Sequence, residues 1–219
     1  MVDFIRRDVL LAYRRIGDTS APLVFFCMVC TLVPLGLSPD PKILSTVAPG
    51  MIWIMTLLAT LLSIERIFIF DFEDGSLEQL LISPQVIAIP VLGKICAHWL
   101  VTGLPLTFLS PLIGLMLSLP DSAYIPMILS LAIGSAYLSF IGSVIASLTV
   151  SLRRGGLLIS LLTVPLCMPI MIFGAGTVTY AADNLEWTGP LAAMGAMLCL
   201  AMSLCPMVAA AALRSTSAS

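Results

Sequence analysis

Long apolar runs separated by short charged ones make up most of this chain. Six windows contain no Asp, Glu, Lys or Arg: Thr19–Pro39, Ile43–Ile64, Ile95–Pro120, Ser122–Leu152, Gly155–Ala182 and Trp187–Leu213. Each is long enough for the roughly 20 apolar residues that carry a helix across about 30 Å of hydrocarbon. The alternation over about ten residues that marks a membrane barrel strand is absent. The pattern predicts an all-α membrane protein with six transmembrane helices, at about Pro22–Leu37, Ala48–Ile64, Ile95–Leu119, Ile125–Leu152, Leu157–Tyr180 and Gly189–Leu213. The connections are too short for a soluble domain, so residues 1–219 are expected to form a single transmembrane domain.

Two segments stand outside the spans. Residues 1–20 begin "MVDFIRRDVLLAYRRIGD", with Ile5, Val9, Ala12 and Ile16 at helical spacing and Arg7, Arg14 and Arg15 able to reach lipid headgroups. This predicts an amphipathic helix lying in the membrane interface. Residues 65–94 form the only sizeable inward segment. Within it, Asp74-Gly75 is a turn signal, Ser76 and Gln79 have the spacing of a capping box, and Glu78 suits the positive end of a helix dipole. Leu77, Leu80 and Leu81 then make an apolar stripe, and Pro84 discourages helix through Ser83. A helix of about two turns is too short to be stable alone, so it is expected to dock into something.

Inside the spans, Pro105 and Pro111, then Pro165 and Pro169, predict kinks. "FGAGTV", Phe173–Val178, suggests a re-entrant break near the outer face. Ser135, Ser139, Ser143, Ser147 and Ser151, with Gly134 and Gly142, form a small-residue pattern read chiefly as a close helix contact rather than a polar substrate path.

Composition agrees with the pattern. Apolar residues make up 59% of 219 positions and charged residues 10%, against roughly 45–50% and 25% in soluble domains. The net charge of -2 matters less than where the cations fall. With the N-terminus cytoplasmic, Arg6, Arg7, Arg14, Arg15, Arg66, Lys94, Arg153, Arg154 and Arg214 share that side and only Lys42 is opposite, nine against one. The positive-inside rule then predicts cytoplasmic N- and C-termini. The first apolar run ends in "GLSPDP", not a small-residue cleavage site, and reads as a retained span. All six cysteines fall within spans. Cys27 and Cys30 have C-x-x-C spacing, but no cation nearby would activate a thiolate, so apolar packing is expected. His at 31 would be needed for a c-type haem attachment motif, and Thr31 stands there.

Ionisable candidates are few. His98 lies four residues after Lys94, on the same helix face, and intramembrane ionisable residues are functional candidates. A polar anchor is the favoured reading of His98 over a haem or metal ligand, since no second His exists to complete a six-coordinate site. No cofactor is expected to be held by this chain. No G-x-x-x-x-G-K-[ST] motif occurs, so any energised work needs ATP bound by a partner.

Several motifs together resemble one family. "PGMIW" (Pro49–Trp53), "ERIF" (Glu65–Phe68), "DGSLEQLLISP" (Asp74–Pro84), "KICAHWLVTGLPL" (Lys94–Leu106), "SPLIG" (Ser110–Gly114) and "LRRGGLLIS" (Leu152–Ser160) are similar to CcmB, the haem exporter protein B family. The resemblance implies an ABC-2-like permease in the bacterial inner membrane, above a cytoplasmic ATPase dimer. It also implies a haem-handling C subunit and a small D subunit alongside, and haem delivery to a periplasmic chaperone for c-type cytochrome assembly. Haem is then a substrate, and no nucleic-acid partner is expected. By likeness to ABC-2 exporters, the short inward helix is the coupling helix, placing Glu73, Gly75, Ser76, Leu77, Glu78, Gln79 and Leu80 at the ATPase. Permeases for another substrate, a non-transporting scaffold for the ATPase and the haem-handling subunit, and a membrane thiol oxidoreductase are the alternatives. Pairing with a second copy or with the C subunit would complete the usual membrane unit.

Overall fold

The "SPDPK" turn shows how an apolar run becomes a helix. Asp40 is extended and its carboxylate accepts from the Lys42 backbone N–H at 2.9 Å, while Pro41 fills the first helical turn, where a missing N–H costs nothing. From there the chain runs helically for 33 residues, Pro41–Glu73. The computed structural model describes residues 2–37, 39–82, 87–150 and 155–217. Those residues form α1 (Val2–Arg14), α2 (Ile16–Gly36), α3 (Pro41–Ile64), α4 (Arg66–Glu73), α5 (Ser76–Ile82) and α6 (Ala88–His98). A π-helical turn (Trp99–Gly103) leads into α7 (Leu104–Met116), and a 3-10 turn (Asp121–Ala123) into α8 (Tyr124–Thr149), then α9 (Gly155–Ala182) and α10 (Thr188–Ser217). No strand occurs among the described residues.

Six helices are long and apolar enough to cross a membrane: Thr19–Gly36, Pro41–Glu73, Ala88–Met116, Asp121–Thr149, Leu158–Ala182 and Thr188–Ser215. The second and third reach further into the 65–94 segment than expected. Glu65 keeps helical φ and ψ of -54° and -32°, so α4 continues α3, and α6 is already helical at Ala88. The described part of the 65–94 segment is thus mostly a continuation of the two spans, with α5 as the separate piece.

α8 is the centre of the packing, with α10 and α9 as its principal neighbours, while α3 packs on α2, α8 and α9. The small residues make this possible. Trp53, 1% exposed, has its indole against Gly134 of α8 and Gly174 of α9, where any Cβ would overlap the ring. Gly142 likewise accepts Ile64. The re-entrant break expected at Phe173–Val178 does not occur: α9 is one unbroken helix through Gly174 and Gly176. Gly174 serves close approach there instead of bending the chain. Ser135, Ser139, Ser143 and Ser147 are buried, and their hydroxyls donate to carbonyls three or four residues earlier. This is the close-contact reading; Ser151, with Arg153 and Arg154, lies outside the described residues.

Pro105 has a second effect. It leaves the carbonyl four residues back without an N–H partner, and the ladder widens into the π turn just before it. All six cysteines are free, with Cys30 packed in the core.

The N-terminal helix departs from the expected residues 1–20. It ends at Arg14, and a break at Arg15 (φ -109°, ψ 44°) hands the chain to α2. The break is held by the Thr19 hydroxyl, which donates to the Ala12 carbonyl at 3.0 Å. Ile5, Val9 and Ala12 are half-buried, and α1 packs mainly on α6.

Candidate functional site

Asp71 is a carboxylate in an apolar helical stretch, flanked by Ile67, Phe68, Ile69 and Phe70. A buried charge in such a place requires a partner. The fold supplies one from α6: Asp71 Oδ2 is ion-paired with Lys94 Nζ, and both residues are 8% exposed. α1 completes the group. Lys94 Nζ also reaches Asp8 Oδ2 at 3.2 Å, and Arg7 Nη2 lies 2.9 Å from Asp8 Oδ1 and 3.4 Å from Asp71 Oδ1. Arg7 and Lys94 balance Asp8 and Asp71, so the cluster is neutral. Arg7, expected at the lipid headgroups, pairs with carboxylates of its own chain while its side chain stays 42% exposed.

The same carboxylate holds the short helix. Ser76 Oγ donates to Asp71 Oδ1 at 2.9 Å, instead of capping its own helix. The cap comes from Asp74, whose Oδ1 accepts from the Ser76 backbone N–H at 2.9 Å. The expected Ser76–Gln79 capping box is replaced by this Asx turn. Gly75 sits at φ +75°, a conformation in which a Cβ is strained. Chiefly because of the Ser76 backbone N–H, the Asp74 carboxyl is held below its ordinary range.

The remaining candidates in this segment divide. Glu73, Glu78 and Gln79 are exposed. Leu77 is 4% exposed and belongs to the protein's own core. It anchors α5 from inside, so the outward-docking stripe expected of Leu77, Leu80 and Leu81 loses its first member. The side chains of Leu80 and Leu81, and the stop expected at Ser83–Pro84, lie outside the described residues.

One turn after Lys94, His98 bridges two spans. Its Nε2 is 2.8 Å from Ser63 Oγ of α3 and its Nδ1 is 2.9 Å from Ser139 Oγ of α8. Because the Ser139 hydroxyl gives its one proton to the Ser135 carbonyl, the neutral ring donates from Nδ1 to Ser139 Oγ and accepts at Nε2 from Ser63 Oγ. Both ring nitrogens are thus engaged by hydroxyls of neighbouring spans, the kind of contact expected of a polar anchor. Trp99 follows onto the same stripe, its Nε1 donating to Ser135 Oγ at 3.1 Å.

Sequence reading missed Asp8, Asp71, Ser63 and the contact role of Arg7. The signal available was the carboxylate in "RIFIFDFE", unusual in a run this apolar. Its partners were not visible, because Lys94 and Asp8 are separated by 86 positions.

A protein-family model described as "CcmB protein" matches residues 1–216. Similar curated proteins cover nearly the whole chain. "Heme exporter protein B" of Haemophilus influenzae is 46% identical over 213 residues, 97% of this chain and 96% of that protein. Proteins of the same name from Pseudomonas aeruginosa and Paracoccus denitrificans are 44% and 47% identical over 210 and 208 residues, covering 96% and 95% of this chain and 94% and 95% of theirs. On a match of this length and identity, together with the six long apolar helices, the chain belongs to the CcmB family of heme exporter proteins.

Proposed function

We propose that this chain is the permease subunit of an ATP-driven complex that provides haem for c-type cytochrome assembly. A cytoplasmic ATPase dimer works on it through α5. The observation that carries the reading is the bond from Ser76, the first residue of α5, to Asp71 of the ion-paired cluster. A helix that presents Glu78 and Gln79 outward while its first residue is tied to three other helices is suited to carry a push into the spans. Nucleotide-driven closure of the ATPase would displace α5 about the Asp74-Gly75 turn. Ser76 and Asp71 would pass that displacement to α4 directly, to α6 through Lys94 and to α1 through Asp8 and Arg7.

The cation distribution supports cytoplasmic termini in the bacterial inner membrane. The haem-handling C subunit, the small D subunit and a periplasmic chaperone complete the system in this reading, with haem as cargo rather than a resident cofactor. The chain itself contributes no catalysis, and the 1–219 span acts as one permease domain. Reversing the exposed charge with Glu78→Lys together with Gln79→Lys is expected to abolish ATPase co-purification in mild detergent and to reduce c-type cytochromes at least tenfold, with the permease level unchanged. A fully coupled complex from that variant would falsify the docking assignment.

A further inference from the structure

Between α1 and the neighbouring parts of α2, α4 and α6 lies a cleft of about 170 Å³, room for about five waters and too small for a tetrapyrrole macrocycle. It starts among exposed groups, Arg15 and Asp74, and ends among buried ones, Ser63 and Thr102, which are 5% and 3% exposed. Thr102 is the middle residue of the span Ala88–Met116, roughly 20 Å along the helix from either end. The cleft therefore leads from the α1 face to mid-depth in the spans. Its charged lining residues balance, Asp8, Asp71 and Asp74 against Arg15, Arg66 and Lys94, which favours a neutral polar occupant over an ion. Three groups on lining residues call for such an occupant. The Thr102 hydroxyl takes no part in any hydrogen bond among the described residues. The Val101 carbonyl has lost its usual donor, since residue 105 is Pro. Lys94 has three N–H donors and, among the described residues, two carboxylate partners, Asp8 and Asp71. A dry cleft would leave each of these with the cost of an unmade bond, whereas cavities lined by polar groups hold ordered water.

We propose that this cleft is a water-filled half-channel: solvent entering beside Arg15 and Asp74 reaches Thr102 and hydrogen-bonds its hydroxyl, the Val101 carbonyl and the third N–H of Lys94. Ionisable residues within spans characteristically face such cavities. Beyond Gly103 the span continues as Leu104–Met116 without a charged residue, so the apolar barrier along it is confined to that half of its length. The proposal rests on the six spans, not on the docking of an ATPase at α5, on the cargo or on which side of the membrane α1 occupies.

The test uses the full chain in phospholipid nanodiscs and a charged methanethiosulfonate, which dissolves in water but not in hydrocarbon. Three variants are compared: Thr102→Cys at the inner end of the cleft, Leu100→Cys on the face outside it, and Thr107→Cys, buried away from it. Adducts are located by tandem mass spectrometry, so the native cysteines stay in place. Thr102→Cys should react at least about tenfold faster than the other two, because the reactive thiolate forms in water and not in an apolar setting. For the first pair that order is the reverse of exposure, 3% for Thr102 against 38% for Leu100. Adding Ala12→Phe, which narrows the cleft from α1, should slow the reaction of Thr102→Cys. In the unaltered chain, radiolytic hydroxyl labelling, which marks side chains in contact with water, should modify Val101 more than Leu100. Equal rates at Thr102→Cys and Leu100→Cys, or stronger hydroxyl labelling of Leu100 than of Val101, overturn the proposal. A Thr102→Cys variant that resists the charged reagent but takes an apolar maleimide would put a lipid chain in the cleft and overturn water as its occupant. No ATPase enters this experiment, so its outcome is independent of the docking test above.

Discussion

Lys94 and Asp71, each 8% exposed, are held by charge; Trp53, 1% exposed, is held by the absence of side chains at Gly134 and Gly174. Both regions are buried and both join several helices, yet they resist change differently. The charged cluster depends on partners being present, because each ion would otherwise sit uncompensated in an apolar setting. The tryptophan slot depends on space, since close-packed interiors leave little room for extra atoms. Its indole Nε1 has no hydrogen-bond partner among the described residues, so shape alone fixes it. A directional charged contact can be exchanged for another as helices move, whereas an interlocked ring cannot. The cluster is therefore the better candidate for a moving joint, and the slot for the rigid frame it moves against.

The largest expected effect separates these two principles at the cluster. Asp71→Ala should destabilise the protein by about 3–5 kcal/mol, the cost of removing one partner from a buried pair, read as a lower thermal midpoint in detergent. Replacing both partners, Asp71→Leu with Lys94→Met, should recover much of that stability but not c-type cytochrome formation. Recovery of both would show that the cluster only holds the fold.

At the slot the logic is reversed, because addition is the damaging change. Gly174→Ala should cost about 1–3 kcal/mol by overpacking, and Trp53→Phe should relieve it. The atoms nearest Gly174 belong to the part of the indole that phenylalanine lacks. A double variant no more stable than Gly174→Ala would show that the glycine is needed for something other than the ring.

His98 belongs between the two regions, a polar contact inside the packed spans. His98→Ala should cost less, on the order of 0.6 kcal/mol for each of its hydrogen bonds, a typical value for such bonds within membranes. Resistance to unfolding in detergent mixtures checks this. A collapse of transport with stability intact would instead give the ring a functional role.

The smallest effect concerns the turn before α5. The folded state lowers the Asp74 carboxyl below its ordinary 3.8, so the ionised carboxylate favours the turn above that value. The benefit is lost as pH falls through the folded value. Pepsin cleavage near Phe72–Leu77 should therefore rise on acidification in the parent and less in Asp74→Asn, which keeps an acceptor for the Ser76 N–H but does not titrate. Parallel rises would show that the carboxylate's charge is not what secures the turn.

Much of the frame was legible because its signals are local. Hydrophobicity over about 20 residues reports a span wherever it folds, and Asp40-Pro41 specifies a helix start within a few positions. Gly75 was readable as a turn for the same reason. Signals compatible with two structures were the ones misread. Glycines in "FGAGTV" permit either a break or a close contact, and the choice depended on Trp53 arriving from α3. Ser76 could cap its own helix or bond elsewhere, and the choice depended on Asp71 being one turn away across the Asp74-Gly75 corner. Leu77 marked an apolar face correctly, but only the fold decided that the face turns inward.

By itself, the sequence determined the six apolar helices, the short helix after Asp74-Gly75 and the family, since each depends on residue types at short spacing or on similarity along the whole chain. Only the tertiary structure decided which charges neutralise each other and which glycines receive a ring. It also decided where α1 lies against α6. The physical reason is that a buried charge or a missing side chain states a need without naming its partner. Lys94 is 86 positions from Asp8 and His98 is 41 from Ser139, and helix packing alone brings them within bonding distance.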